Sequence, residues 1–269
     1  MTADPLAPLL ALADVAPAVD RARERVDTSL RHRALRRHGG RVAAEVSLRS
    51  AVASAALEGY AHQLETVRSG VVTDPVLQGA LRVAGALPGL ADTWTRAPGQ
   101  VLARLHVLAA RDVVPEPLLG RPLADRGVAG ASVASGAGAT GRSADAAEAA
   151  RLAGLLELVA GGTKVSPLVL AAVVHGELLA LRPFAGPSGV VARAAARLTL
   201  LASGFDPRGL VAVDVGHRDR EPEYVGAAGA FATGTPDGLR SWLRHYLAAV
   251  EVGADQLAAI GDETLATAS

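Results

Sequence analysis

Apolar positions recur in this chain at the three- and four-residue spacing of helices, and glycines and prolines cut the pattern into segments. Between Arg41 and Leu57, the residues Val42, Val46, Ala53 and Leu57 form one stripe, supported by Glu45 four residues before Arg49. Upstream, Ala16 to Arg37 reads as a polar helix stopped by Gly39 and Gly40; downstream, Gly59 is a natural terminator. Further helical patterns cover Gln63 to Ser69, Pro75 to Thr95 and Gln100 to Arg111. Residues Asp112 to Arg142, rich in Pro and then in Gly, Ala and Ser, read as loop with one short extended piece near Ser132 and Val133.

Helical spacing resumes at Ser143 and runs to about Ala160, closed by Gly161 and Gly162. Ser166 then fits an N-cap with Pro167 in the first helical position. That helix must end before Pro183, because a proline pushes the residue ahead of it out of helical geometry, so Arg182 sits at a helix C-terminus. Pro183 to Ser188 forms a tight loop, and Ser188 is placed to cap the next helix, Gly189 to Ser203. Two more helices are predicted, one from about Glu221 and a longer one from Asp237 to Ala259. The expected class is all-α. Residues 1–40 read as a tail and basic helix, 41–111 as an N-terminal helical region, 112–260 as the core and 261–269 as a tail.

Composition agrees and removes several chemistries. Half of the 269 residues are hydrophobic and a fifth are charged, enough apolar surface for a real core. Three Phe, three Tyr and two Trp among many Ala, Leu and Val favour closely packed helices over a sheet. Zero formal net charge removes any global field toward nucleic acid or an anionic membrane, so nucleic acid is disfavoured as a partner. The lack of cysteine excludes disulfides, thiolate catalysis and cysteine-held metal. Met1 to Pro17 carries Asp4 and Asp14 without a basic start, and reads poorly as a signal peptide. Val165 to Leu181 is interrupted by His175 and Glu177 and falls short of the ~20 residues a membrane span needs. A cytoplasmic protein without membrane attachment is the expectation; a protein partner and self-association stay open.

An apolar helix, a tight Pro/Gly loop and a second helix can hold an anion, because the second helix directs N–H groups and its positive dipole end into the loop. The segment Arg182-Pro183-Phe184-Ala185-Gly186-Pro187-Ser188-Gly189-Val190-Val191-Ala192-Arg193 resembles the Fic (Fido) motif, H-P-F-x-(D/E)-G-N-G-R-x-x-R. Pro183, Phe184, Gly189 and Arg193 match. The resemblance implies an all-α Fic-type bundle with an N-terminal helical extension and a glycine-rich flap. In that family, which includes protein AMP transferases, the leading His is the general base, the acidic residue holds Mg²⁺, and the first Arg with the loop amides binds nucleotide phosphates. Those positions are Arg182, Gly186 and Val190 here, Ser188 stands at the Asn and Pro187 removes an N–H. Arginine cannot accept a proton at neutral pH and glycine offers no carboxylate, so no catalytic group and no metal site is assigned.

Two further segments carry the resemblance. His175, seven residues before Arg182, matches a His common on the entering helix. Ser54-Ala55-Ala56-Leu57-Glu58-Gly59 is similar to the signature of the family's self-inhibitory helix, whose Glu pairs with the motif's last Arg; the corresponding residues are Ser54, Glu58 and Arg193. The stretch Pro222 to Ala254 also looks like helices that follow the motif, extending the likeness over roughly Arg41 to Ala259. What it implies is a catalytically degenerate Fic-type protein with a regulatory or binding role, with ATP or another phosphorylated ligand as the occupant and Arg182, Ser188, Gly189 and Arg193 around it. The alternative is a transferase of altered chemistry using a nucleotide or phosphometabolite. His175 reads first as a hydrogen-bonded core histidine, and Arg182 either as a phosphate binder or as a plug.

Two competing signals come from elsewhere in the chain. Gly136 to Ser143 fits P-loop spacing with Arg142 in place of Lys, and Leu210 to Asp214 resembles a strand carrying a Mg²⁺ carboxylate. A P-loop NTPase also needs repeated strand and helix alternation, which the helical pattern does not supply. The eight arginines from Arg21 to Arg41 read as a solvated face, or as an adaptor surface for an acidic partner.

Overall fold

A computed structural model describes residues 4–123 and 141–268, with the backbone alone at 141–145. After a 3₁₀ turn at Ala7–Ala11 come α1 (Val15–Ser29), α2 (Ala34–Arg37), α3 (Gly39–Ala56), α4 (Leu64–Arg68), α5 (Pro75–Trp94) and α6 (Pro98–Ala110). A second 3₁₀ turn, Glu116–Leu118, precedes α7 (Gly141–Gly161), α8 (Pro167–Leu181), α9 (Ser188–Ala202), α10 (Val213–Asp219), α11 (Glu221–Ala232) and α12 (Pro236–Ala266). No strand occurs among the described residues, so the fold is all-α as expected.

Three helix starts use one local device, a capping side chain followed by proline. Asp74 accepts the N–H groups of Val76 and Leu77 at 2.9 Å, Ser166 that of Leu168 at 3.3 Å, and Thr235 that of Gly238 at 3.2 Å. Pro75, Pro167 and Pro236 follow these caps, where a missing N–H costs nothing. The helices then pack around α9, of which Val190 to Ala196 are all buried, with α8, α5 and α6 against it. The long α12 backs α1, α10 and α11. Small residues set the closeness of these crossings. A Cβ on Gly216 would lie 2.1 Å from the Ala249 carbonyl, and one on Gly253 2.7 Å from Ala212, so α10 and its leading segment touch α12 backbone to backbone.

Several element boundaries differ from the expectation. The basic helix is broken between Ser29 and Ala34 although no Gly or Pro lies there. Thr28 and Ser29 turn their hydroxyls onto the carbonyls of Glu24 and Val26, and His32 packs against Gly261 and contacts Asp262 at 3.3 Å; local hydroxyls and a tertiary contact override propensity. Gly39 and Gly40 open α3 instead of ending the helix before it. Residues 261–266, read as tail, continue α12, because Leu257 and Ile260 complete a second apolar cluster with Leu35, Val42, Val46 and Leu210.

The P-loop reading fails on the same grounds. Leu210 to Ala212 is not a strand: the buried Asp206 carboxylate accepts the N–H groups of Leu210 and Val211 at 2.9 and 2.8 Å, and α10 starts at Val213. The Gly136 to Ser143 match, the glycine-rich flap and the piece at Ser132 and Val133 lie outside the described residues, apart from the start of α7 at Gly141. Among the described residues no helix is long and apolar enough to cross a membrane.

Candidate functional site

The loop between α8 and α9 is shaped from behind. Arg182 ends α8 in the left-handed region (φ 44°, ψ 56°), with its N–H on the Leu178 carbonyl at 3.0 Å. Phe184 is buried and stacks on the His106 ring of α6 at 4.7 Å between centroids, while His106 Nε2 lies 2.8 Å from the Ala185 carbonyl and its Nδ1 accepts the Gly120 N–H at 2.9 Å. Leu123 donates its N–H to the Pro183 carbonyl at 2.7 Å, placing the chain before residue 124 beside the loop. Gly186 holds φ +74°, and a Cβ there would meet Val114 Cγ2 at 2.6 Å. The loop is therefore built around glycine at that position, in backbone conformation as well as in side chain.

Beyond the loop opens a cleft of about 460 Å³ between the ends of α3 and α8, the start of α9 and one face of α11. Arg193, the last residue of the motif, is buried at 2% exposure and uses its guanidinium on three neighbours. Its Nε donates to Ser54 Oγ at 2.8 Å, Nη2 to the Ser54 carbonyl and to Glu58 Oε1, each at 2.8 Å, and Nη1 to Tyr224 Oη at 3.2 Å. Asp214 comes within 3.8 Å of Arg193 and 3.6 Å of Arg197, so the charges of buried Arg193 and Asp214 and half-buried Glu58 and Arg197 sum to zero. Arg193 is held protonated; burial opposes this, but Tyr224, Glu58 and Asp214 outweigh it. The Glu58 carboxylate rests on the first turn of α9, where the helix dipole favours a negative charge. A Cβ on Gly189 would sit 2.1 Å from Glu58 Oε1, so only glycine leaves room for it.

The other motif positions lie apart from this cluster. Arg182 is exposed at the cleft rim and forms no ion pair among the described residues, so it does not plug the site. Ser188 is buried beside the cleft with its hydroxyl unpaired, so it does not cap α9; Pro187 occupies that position. Val190 is buried on the side facing α3 and α5, lining a cavity of about 10 Å³ together with Ala51, Ala80 and Val83 instead of the cleft.

Behind Tyr224 lies a set of buried aromatic and imidazole rings. His175 is fully buried, with Nε2 3.1 Å from Tyr224 Oη, and its ring edge meets His217 at 4.9 Å and Trp242 at 5.0 Å. His217 Nδ1 lies 3.0 Å from His245 Nε2. Burial first, then Arg193 and His245, push His175 well below the ordinary histidine range. It is neutral and separated from the cleft by Tyr224, which suits a core residue and not a proton acceptor at the surface of the site. Sequence reading gave no role to His106, Tyr224, His217 or His245; His106 meets Phe184 across 78 positions, and no spacing rule reveals such a partner.

The architecture has solved counterparts. It matches a Fic family protein from Desulfovibrio desulfuricans G20 with a TM-score of 0.65 and 24% identity, over 89% of this chain and 74% of that one. It also matches Fic-1 (residues 134–508) from C. elegans with a TM-score of 0.67 and 19% identity, over 94% of this chain and 74% of that one. No family model matches the sequence, and no curated protein does. The chain has the Fic fold.

Proposed function

We propose that this Fic-fold chain is a catalytically degenerate relative of protein AMP transferases, one that binds a nucleotide phosphate or a similar phosphorylated ligand in the cleft and acts by binding or regulation. One observation carries the reading. Among the described residues the only carboxylate lining the cleft is Glu58, and it is engaged by Arg193, while the position of a motif base holds Arg182 and that of a metal-binding acid holds Gly186. A phosphoryl acceptor needs a base within about 3.2 Å of its hydroxyl, and no free one borders this cleft among the described residues. The groups that remain suit an anion: the start of α9, the unpaired Ser188 hydroxyl and the exposed Arg182.

Glu58 sits where the negative end of such a ligand would approach α9, so the pair with Arg193 acts as a self-inhibitory lock. Titrating ATP with and without Mg²⁺ while recording the melting midpoint tests binding, since a ligand that prefers the folded state raises it. A rise in the protein and a larger one in Glu58→Ala support the reading. No rise in either, or transfer of label from ATP to any protein, contradicts it.

The rival reading, a transferase of altered chemistry, draws on Arg182 at the rim, where a guanidinium can hold a phosphate. It requires turnover of the bound compound by the unaltered chain, and the label experiment reads that directly.

A further inference from the structure

The two faces of α11 look onto different spaces. Tyr224, Val225 and Ala228 face the cleft, whereas Glu223, Gly226 and Ala227 face a second, open cavity of about 480 Å³ bordered by α1 and α12. That size falls in the range of small-molecule sites. Its apolar lining consists of Ala18, Gly226, Ala227 and Ala248, and its polar groups are mostly donors.

Arg21, Arg220 and Arg244 reach it from three separate elements, and their carboxylate partners leave them incompletely used. Arg21 Nε stands 4.0 Å from Glu251, and Arg244 only 3.9 Å from Asp14, a carboxylate already bonded to Arg240 at 2.8 Å. Arg220 pairs with Glu223 through Nη2, but its Nε is buried with no hydrogen-bond partner. His245, 6% exposed, also lines the cavity. Its Nε2 is turned inward to His217, leaving Nδ1, which points away from that contact, unpartnered. A buried donor without an acceptor is costly, and Arg220 Nε is such a donor.

The local field has a definite sign. Burial first and then the Arg220 charge hold His245 down at about 4, against a smaller opposing effect of Glu223. Three arginines against Glu223 and Glu251 leave one excess positive charge, and the ligand that fits is acceptor-rich and anionic.

We propose that this cavity between α1, α11 and α12 is a second binding site, for a phosphoryl anion: the phosphate group of a small monoester, seated by Arg220, Arg244 and Ser241 with its organic part over the Ala/Gly lining. The site is separate from the cleft and independent of what the cleft binds. Free phosphate shares the recognised chemistry, so both are used as probes.

The experiment is calorimetric titration of the full chain with inorganic phosphate and with glycerol 3-phosphate, repeated on Arg220→Gln, Arg244→Gln and Arg182→Ala. Arg244 is largely exposed, so its variant keeps the fold, and melting in phosphate-free buffer checks both glutamine variants. Binding of either probe that is weakened about tenfold or more by each glutamine substitution and persists in Arg182→Ala is the expected result, since one charge-assisted bond is worth about that factor. Three results would overturn the site: no binding of either probe at millimolar concentration, binding insensitive to both glutamine substitutions, or binding lost in Arg182→Ala, which would place the anion in the cleft.

Discussion

Arg193 shows how much one side chain can be asked to hold. It ties α9 to Ser54 and Glu58 at the end of α3 and to Tyr224 on α11, with its own side chain buried at the inner wall of the cleft. Removing one partner of a buried pair leaves the other charge uncompensated, so Arg193→Ala should cost about 3–5 kcal/mol in urea unfolding. A loss below 1 kcal/mol would show that the pair contributes little to the fold. The motif's departures are equally local. An aspartate at 186 would need φ +74° and would collide with Val114, and an arginine at 190 would enter the packed side of α9. The combined variant Arg182→His, Gly186→Asp, Val190→Arg is therefore expected to melt below the unaltered protein and to transfer no label. Gain of transfer without loss of stability would contradict this account of the loop. The resemblance to the Fic motif and to the family's inhibitory helix is what singled out Ser54, Glu58 and Arg193, whose side chains meet here. It could not show that Val190 points away from the cleft, which depends on the rotation of α9 against α5.

At the scale of elements, the caps followed by proline were readable, whereas the cap read at Ser188 and the helix crossings were not. Asp74, Ser166 and Thr235 each precede a proline, a purely local signal, and the helices at Pro75 and Pro167 begin where that signal puts them. Replacing Asp74 by Ala should cost about 1 kcal/mol, since its carboxylate accepts two otherwise free N–H groups; chemical denaturation measures it. By contrast, nothing near Gly216 announces that its neighbour is Ala249 of α12. A methyl group there must separate two backbones, and Gly216→Ala should destabilise by about 1–3 kcal/mol, against a near-neutral change at the unencumbered helical Gly226. The break after Ser29 belongs to the same class: Thr28 and Ser29 are visible in the sequence, but the seat of His32 on Gly261 is not.

For the whole molecule, the three linked histidines make stability depend on pH. His175 and His217 are held well below the ordinary value and His245 near 4, with burial the largest cause in each. A histidine in the unfolded chain takes up its proton near 6.5, so below that pH the unfolded state binds more protons and the folded state loses ground. The loss begins as pH falls through about 6.5, is complete near 4 for His245 and continues lower for the other two. Asp206, raised by burial, works in the opposite direction, but with one proton against three. The urea midpoint should therefore drop steeply from pH 7 to pH 5, and a flat profile over that range would contradict the neutral, buried assignment.

The cleft's role is the claim on which the account chiefly rests, and one measurement reaches it directly: incubation of the protein and of Glu58→Ala with ATP labelled at the α-phosphate and Mg²⁺, followed by gel filtration and then a denaturing gel. Label that travels with the folded protein, more strongly for Glu58→Ala, and leaves on denaturation is the expected result. Label that stays covalently attached, or none on either protein before denaturation, would contradict it.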